Sequence, residues 1–208
     1  MSSQLHPQTL DELLHRGRYL FPTDVVDVVE RFHATEGPGV PRSVITAYVS
    51  EVLGRLGRRA PYSVQRFESL LERRVTDLDM WIPKTVYVVA PGRVSVYPPR
   101  WHTRLTGVTD PAEYVVVIGR DLAAARGADA TEPLPPVPRP LLVDAMMVLG
   151  GVDRPTAASL LRDAHHGRRI RVEPVQNPNA YVWVTDPDLR RQPETTKTDD
   201  GRAVSPTG

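Results

Sequence analysis

The chain has 208 residues, no cysteine, and 26 basic against 25 acidic side chains, so its formal net charge is only +1. The lack of cysteine excludes disulfides, thiolate nucleophiles and cysteine metal sites, and the near-zero charge excludes a strong overall basic field. No apolar run approaches the roughly 20 residues that a membrane-spanning helix needs. We therefore expect a cytoplasmic protein without a membrane partner.

The N-terminal part of the chain carries helix-start signals in close succession. Thr9-Leu10-Asp11-Glu12 has the capping-box pattern and predicts a short first helix. Thr23 is expected to cap a second helix, which stops before Gly37-Pro38-Gly39. Pro41 stands in the first turn of a third helix, whose apolar residues form one wide face.

Residues 63–97 change from helical to strand periodicity. Ser63 is expected to cap a fourth helix that runs to about Val75. Two runs rich in β-branched residues follow, one beginning at Thr85 and the other ending at Tyr97, and they flank Ala90-Pro91-Gly92. This pattern predicts a hairpin. A helix followed by a two-stranded ribbon is therefore expected here.

The middle of the chain is less regular. Asp110 to Glu113 has a helix-start pattern and Arg126-Gly127 a helix-end pattern, whereas Val115 to Ile118 prefers strand. Helix is favoured for residues 111–126 and strand remains the alternative. Residues 128–140 contain five prolines and predict a semi-rigid linker without regular structure.

The order of helices and hairpin recurs after this linker. A helix from Leu141 to Leu149, a Gly150-Gly151 turn and a helix capped by Asp153 are expected in turn. A hairpin pairing residues 170–172 with 181–184 completes the second copy. The two helices have a helix-turn-helix layout, although Pro155 stands where a buried branched aliphatic residue is usual.

These elements predict an α+β protein built from two similar modules, joined by a short αβ unit and a proline-rich linker. The expected divisions are an N-terminal helix (1–19), module 1 (20–98), a connecting unit (99–127), the linker (128–140), module 2 (141–186) and a tail (187–208). The tail is predicted to be disordered because it has almost no large apolar residues.

This order of elements resembles the winged helix-turn-helix superfamily, as a tandem pair over about residues 20–98 and 138–186. Members are mostly DNA-binding regulators, but tandem-winged adaptors bound to chromosome-organising ATPases and replication initiators also belong to it. The resemblance implies that the last helix of each module lies in a major groove, with the hairpin beside it. It rests on element order and assigns no particular family.

The candidate DNA-binding residues are those expected on the exposed faces of the last helices and at the hairpins. They are Gln65, Arg66, Ser69, Arg73 and Arg93 in module 1, and Ser159, Arg162, His166, Arg168, Arg169 and Arg171 in module 2. Arginine forks pair with guanine edges or phosphates, and glutamine pairs with adenine. Positive charge gathers there modestly, at +4 for residues 38–75 (7 − 3) and +2 for residues 138–192 (8 − 6). Glu68 and Glu72 count against DNA contact in module 1.

Other chemistry finds little support in the sequence. His165 and His166 are adjacent and would point about 100° apart on a helix, so a shared metal ion is not expected. No phosphate-binding glycine loop or nucleophile elbow is present. We therefore expect neither enzyme nor cofactor, but a double-stranded DNA-binding protein that regulates transcription. The alternative is a protein-docking adaptor in chromosome organisation or replication. A homodimer or a partner protein fits either function.

Overall fold

The computed structural model describes residues 5–33, 36–129 and 132–185, and within them it confirms the α+β class. The helices are α1 Pro7–Arg16, α2 Pro22–Phe32, α3 Arg42–Leu56, α4 Val64–Glu72, α5 Pro99–Leu105, α6 Pro111–Ala124, α7 Arg139–Leu149 and α8 Arg154–His166. The strands are β1 Val40–Pro41, β2 Val75–Thr76, β3 Val86–Ala90, β4 Arg93–Ser95, β5 Val137–Pro138, β6 Ile170–Glu173 and β7 Tyr181–Val184. None of the helices in these ranges is long and apolar enough to span a bilayer.

The first unit combines α1 to α4 with a four-stranded sheet in the order β1-β4-β3-β2. Strands β3 and β4 form the hairpin, β1 lies antiparallel to β4 with Val40 opposite Val94, and β2 lies parallel to β3. One apolar cluster fills this unit, with Val26, Val49 and Phe67 fully buried. Helix α4 is held by this cluster and keeps its other side exposed.

The second unit repeats the arrangement with α6, α7, α8 and a three-stranded sheet in the order β5-β7-β6. Strand β5 lies antiparallel to β7, with Val137 opposite Val182. A second apolar cluster fills this unit and takes in α5. Each unit therefore runs helix, short strand, two helices and hairpin, and its short strand pairs with the second strand of its hairpin.

A repeated tripeptide marks the same turn in both units. Val40-Pro41-Arg42 and Val137-Pro138-Arg139 each lead from the short strand into the next helix. The prolines have nearly equal φ, −58° and −59°, which the pyrrolidine ring favours. The Arg42 N–H donates to Gly92 O at 3.0 Å, and the Arg139 N–H donates to Ala180 O at 2.8 Å. The start of α3 and the start of α7 are thus fixed to their hairpins in the same way.

Three predicted helix caps are confirmed. Ser63 Oγ accepts the Arg66 N–H at 3.2 Å, Asp110 Oδ1 accepts the Ala112 N–H at 3.1 Å, and Asp153 Oδ1 accepts the Thr156 N–H at 2.8 Å. Helix α6 also resolves the choice at residues 111–126 in favour of helix. The β-branched run there is accommodated because its side chains are buried on several sides of α6.

Two predicted caps are wrong. Helix α1 begins at Pro7, so Thr9 lies inside it, buried and with no hydrogen-bond partner for Oγ1 among the described residues. Helix α2 begins at Pro22, so Thr23 is likewise helical and makes no cap. In both cases a proline stands just ahead of the expected cap, and its fixed φ starts the helix earlier.

Two predicted boundaries also need correction. The fourth helix ends at Glu72 rather than Val75, because Val75 pairs with Val86 in β2 and β3. The expected linker 128–140 contains β5 and the start of α7, since proline is tolerated in edge strands and in the first helical turn. The predicted disordered tail, 187–208, lies outside the described residues.

The indole–carboxylate cluster, made of Trp81, Arg100, Trp101 and Asp121, links the two units. The Asp121 side chain is fully buried, and its Oδ2 accepts the Trp101 Nε1–H at 2.6 Å and the Trp81 N–H at 3.2 Å. Arg100 forms an ion pair with the same carboxylate. The two indoles stack with centroids 5.9 Å apart. The segment before the first hairpin is thereby attached to α6 of the second unit.

Replacing Asp121 with alanine should lower the free energy of unfolding by about 1–3 kcal/mol, because the partly buried Arg100 and two N–H donors, of which the Trp101 Nε1–H is buried, lose their acceptor. Urea unfolding followed by tryptophan fluorescence would measure this loss. Asp121→Asn, which keeps an acceptor, should cost less. Glu113→Ala, at an exposed position of the same helix, is the control. Equal stability of the Asp121→Ala and Glu113→Ala variants would contradict the assigned role.

Candidate nucleic-acid interface

The exposed face of α4, together with Arg73 directly after its last residue, carries the polar residues that the sequence places there. Gln65, Arg66, Ser69 and Arg73 are all exposed, while Phe67 and Leu71 face the core. Arg66 and Arg73 stand two turns apart and therefore point in nearly the same direction. Neither forms an ion pair within the described part of the chain. Their guanidinium groups are available to a ligand.

The two glutamates of α4 are engaged by α3. Glu72 Oε2 lies 2.6 Å from Arg42 Nη1, and Glu68 Oε1 accepts a hydrogen bond from Thr46 Oγ1 at 3.3 Å. Both carboxylates thus lean toward α3, away from the side that carries Arg66. The repulsion of phosphate that the sequence suggested is reduced, because Glu72 is partly neutralised by Arg42.

Arg93 is not free at the hairpin. Its Nε donates to Pro38 O and its Nη2 donates to Gly39 O, both at 2.7 Å. Gly39 itself packs so closely that a Cβ there would lie 2.5 Å from Val89 Cγ2. The Arg93 guanidinium therefore holds the loop before β1 against the sheet. Because the guanidinium is already bound within the protein, the geometry does not support the expected contact of Arg93 with DNA.

The exposed face of α8 carries one arginine and one histidine. Arg162 and His166 are exposed and Ser159 is half-buried, opposite the buried Ala157 and Leu161. Arg162 makes no ion pair among the described residues. The structure confirms that these three residues lie on the side of α8 opposite the core, as helical spacing predicts. Only one arginine of α8 shares this face with His166.

The cationic stretch after α8 is largely paired within the protein. Arg169 Nη2 lies 2.6 Å from Asp110 Oδ2, the cap of α6. Arg171 Nε lies 3.4 Å from Glu173 Oε1, and its guanidinium lies 4.9 Å from the centre of the Trp183 ring. Arg168 is exposed and makes no ion pair in the described ranges. Free positive charge is therefore lower here than the sequence indicated.

The adjacent histidines at the end of α8 do not converge on one point. The rings of His165 and His166 have centroids 6.1 Å apart and planes tilted by 44°. Within residues 5–33, 36–129 and 132–185, no group of three histidine, aspartate or glutamate side chains is placed to hold a metal ion.

A separate polar cluster, made of Glu30, Ser95 and His102, lies between the units. The Glu30 side chain is only 3% exposed; its Oε2 accepts the Val96 N–H at 3.1 Å, and its Oε1 lies 3.8 Å from His102 Nε2. Ser95 Oγ lies 2.8 Å from the same ring nitrogen. Burial raises the pKa of Glu30 to about 8 and lowers the pKa of His102 to about 4. Sequence reasoning missed this cluster because its members are 7 to 72 positions apart.

Comparisons of this chain with protein-family models, with curated proteins and with solved structures found no match. Its function is therefore inferred from its own geometry.

The raised pKa of Glu30 predicts a loss of stability at alkaline pH. The neutral carboxyl is favoured in the folded state, so its contribution is full below the ordinary glutamate pKa of 4.5 and is lost as pH rises through about 8. Relative to Glu30→Gln, the parent should lose about 1 kcal/mol of unfolding free energy between pH 7 and pH 8. Urea unfolding at the two pH values measures it.

Two other groups with shifted pKa values titrate below pH 7. The pKa of His102, about 4, and that of Asp27, raised by burial to about 6, both lie below pH 7. The two curves should therefore diverge between pH 7 and pH 8 through Glu30 alone. Parallel curves for parent and Glu30→Gln would show that the carboxyl titrates normally.

Proposed function

We propose that this protein binds double-stranded DNA through two winged-helix units and acts as a regulator of transcription. The observation that carries the proposal is the α4 face, where Arg66 and Ser69 are exposed at helical spacing with Arg73, the residue that follows α4. Both arginines are unpaired within the described residues, and the neighbouring carboxylates are held by α3. An α-helix of this kind fits the major groove, where arginine pairs with guanine.

The connectivity supports a winged-helix interpretation of both units. In each, two helices are followed by a hairpin, and the strand before the helices pairs with the second strand of that hairpin. This is the element order of a helix-turn-helix with a wing. The hairpin of the first unit turns at Pro91-Gly92 and is short, so its helix would provide most contacts.

The second unit would add phosphate contacts rather than base contacts. Arg162 and Arg168, at α8 and just after it, are exposed and make no ion pair in the described ranges. Arg169 and Arg171 are held by Asp110 and by Trp183. Phosphate contacts position a protein on the duplex without reading sequence.

One observation favours the adaptor alternative for the second unit. Val175 and Tyr181 at its hairpin are 57% and 48% exposed. Trp183 is half-buried on the same outward side as Tyr181, two residues along β7. Exposed aromatic residues with a nearby arginine are typical of protein interfaces. A protein partner on this hairpin is compatible with DNA on α4.

Salt dependence of binding to a duplex of random sequence tests the proposal. Fluorescence anisotropy should show affinity falling as salt rises, with a log–log slope of about 0.9 for each phosphate contacted. Absence of duplex binding at 50 mM salt would remove DNA binding and leave the adaptor function in the lead.

Single arginine replacements should locate the DNA surface. Arg66→Ala should cost about 1–3 kcal/mol on a selected site and relax preference at one base pair. Arg126→Ala, at an exposed position after α6, is the matched control and should leave binding unchanged. Arg93→Ala should instead lower thermal stability, because it releases the carbonyls of Pro38 and Gly39. Equal affinities for Arg66→Ala and Arg126→Ala would place α4 outside the groove.

A further inference from the structure

The two units enclose a cleft of about 1220 Å³. It is bordered by the end of α2, the loop at residues 37–39, one side of α5, and the turn between α7 and α8. Phe32, Val89, Met147 and Val152 give it apolar walls. Its volume exceeds what a small organic ligand needs.

Glu30 is part of this wall and has unused hydrogen-bonding capacity. Oε2 accepts the Val96 N–H, whereas Oε1 is buried and has no hydrogen-bond partner among the described residues. A buried acceptor left without a donor is costly, and such groups are usually satisfied by a bound molecule or a neighbouring side chain. His102 Nε2, the nearest ring nitrogen, is 3.8 Å away and lies next to Ser95 Oγ.

We propose that the cleft binds a small organic cation, a protonated primary amine with a compact apolar body. The ammonium group would donate to Glu30 Oε1, and the apolar body would lie against the walls formed by α2, α7 and the hairpin of the first unit. This inference is independent of DNA binding.

The charges around the cleft favour a cation over an anion. The two arginines that line it, Arg31 and Arg154, both pair with Asp144, at 3.4 and 2.6 Å. Arg31 also pairs with Asp27 at 2.7 Å. A carboxylate or phosphate ligand would have to compete with these pairs, whereas an ammonium group can pair with Glu30 once the carboxyl gives up its proton.

Binding of an ammonium group should expel a proton. Burial holds Glu30 in its neutral form near pH 7, and an adjacent positive charge favours ionisation. The charged groups that act on Glu30 are Asp27 on its own helix and Arg93 on β4, and His102 on α5 is the nearest titratable ring. Burial keeps the pKa of His102 low, at about 4, so it stays neutral in this range.

Isothermal titration calorimetry with benzylamine, benzyl alcohol and benzoate tests the proposal, because the three share one ring and differ in charge. Benzylamine should bind at least about tenfold more tightly than the other two, since a charge-assisted hydrogen bond forms only with the amine. At pH 7, titrations in phosphate and Tris buffers should show release of close to one proton. Equal affinity for the three probes, or no binding of benzylamine, would overturn the proposal.

Two variants separate the site from general charge effects. Glu30→Gln keeps an acceptor for the Val96 N–H but removes the carboxylate, so benzylamine affinity should fall about tenfold and proton release should vanish. Glu51→Gln, an exposed position on α3, is the control. Thr103→Trp adds bulk at an exposed residue of the cleft and should block benzylamine without touching Glu30. Unchanged benzylamine binding in a folded Glu30→Gln or Thr103→Trp variant would exclude this site.

Discussion

In both units the chain enters its helical pair through a two-residue strand that ends in proline. Pairing of this strand with the hairpin, β1 with β4 and β5 with β7, fixes where the next helix begins. The backbone bonds from Arg42 to Gly92 O and from Arg139 to Ala180 O complete the junction. Helices α4 and α8 pack on helices positioned in this way, so the candidate binding faces depend on two short strand pairings rather than on the long helices themselves.

The polar contacts between the units are at least partly buried, and no local sequence pattern predicts them. Asp121 on α6 accepts from Trp81 and Trp101, and Arg31 on α2 reaches Asp144 on α7. The residues that make these contacts are distant in sequence, whereas a helix cap depends on residues two or three positions apart. This explains why Ser63, Asp110 and Asp153 could be predicted as caps and the interface could not. The repeated Val-Pro-Arg tripeptide was a sequence signal for the duplicated junction, and element-by-element prediction passed over it.

Proline accounts for most of the errors in the predicted elements. Pro7 and Pro22 start their helices ahead of Thr9 and Thr23, so the predicted caps fall three and two residues after the observed cap positions, His6 and Phe21. In residues 128–140 the prolines were taken to exclude regular structure. Pro138 instead ends an edge strand and precedes a helix, two positions where a missing N–H costs little.

The sequence predicted which residues of the candidate site are exposed to solvent, but not which of its arginines form ion pairs or hydrogen bonds within the protein. Helical spacing correctly placed Arg66, Arg73 and Arg162 in solvent, since exposure follows from which residues the core takes. It gave no information on which arginines are already paired, because Arg93 and Arg169 find partners 54 and 59 positions away. Arg66 on α4 and Arg73 just after it remain exposed without an ion pair in the described ranges, while the second hairpin exposes aromatic residues. The two units share one architecture but present different surfaces, and such a difference suits a protein whose units contact different partners.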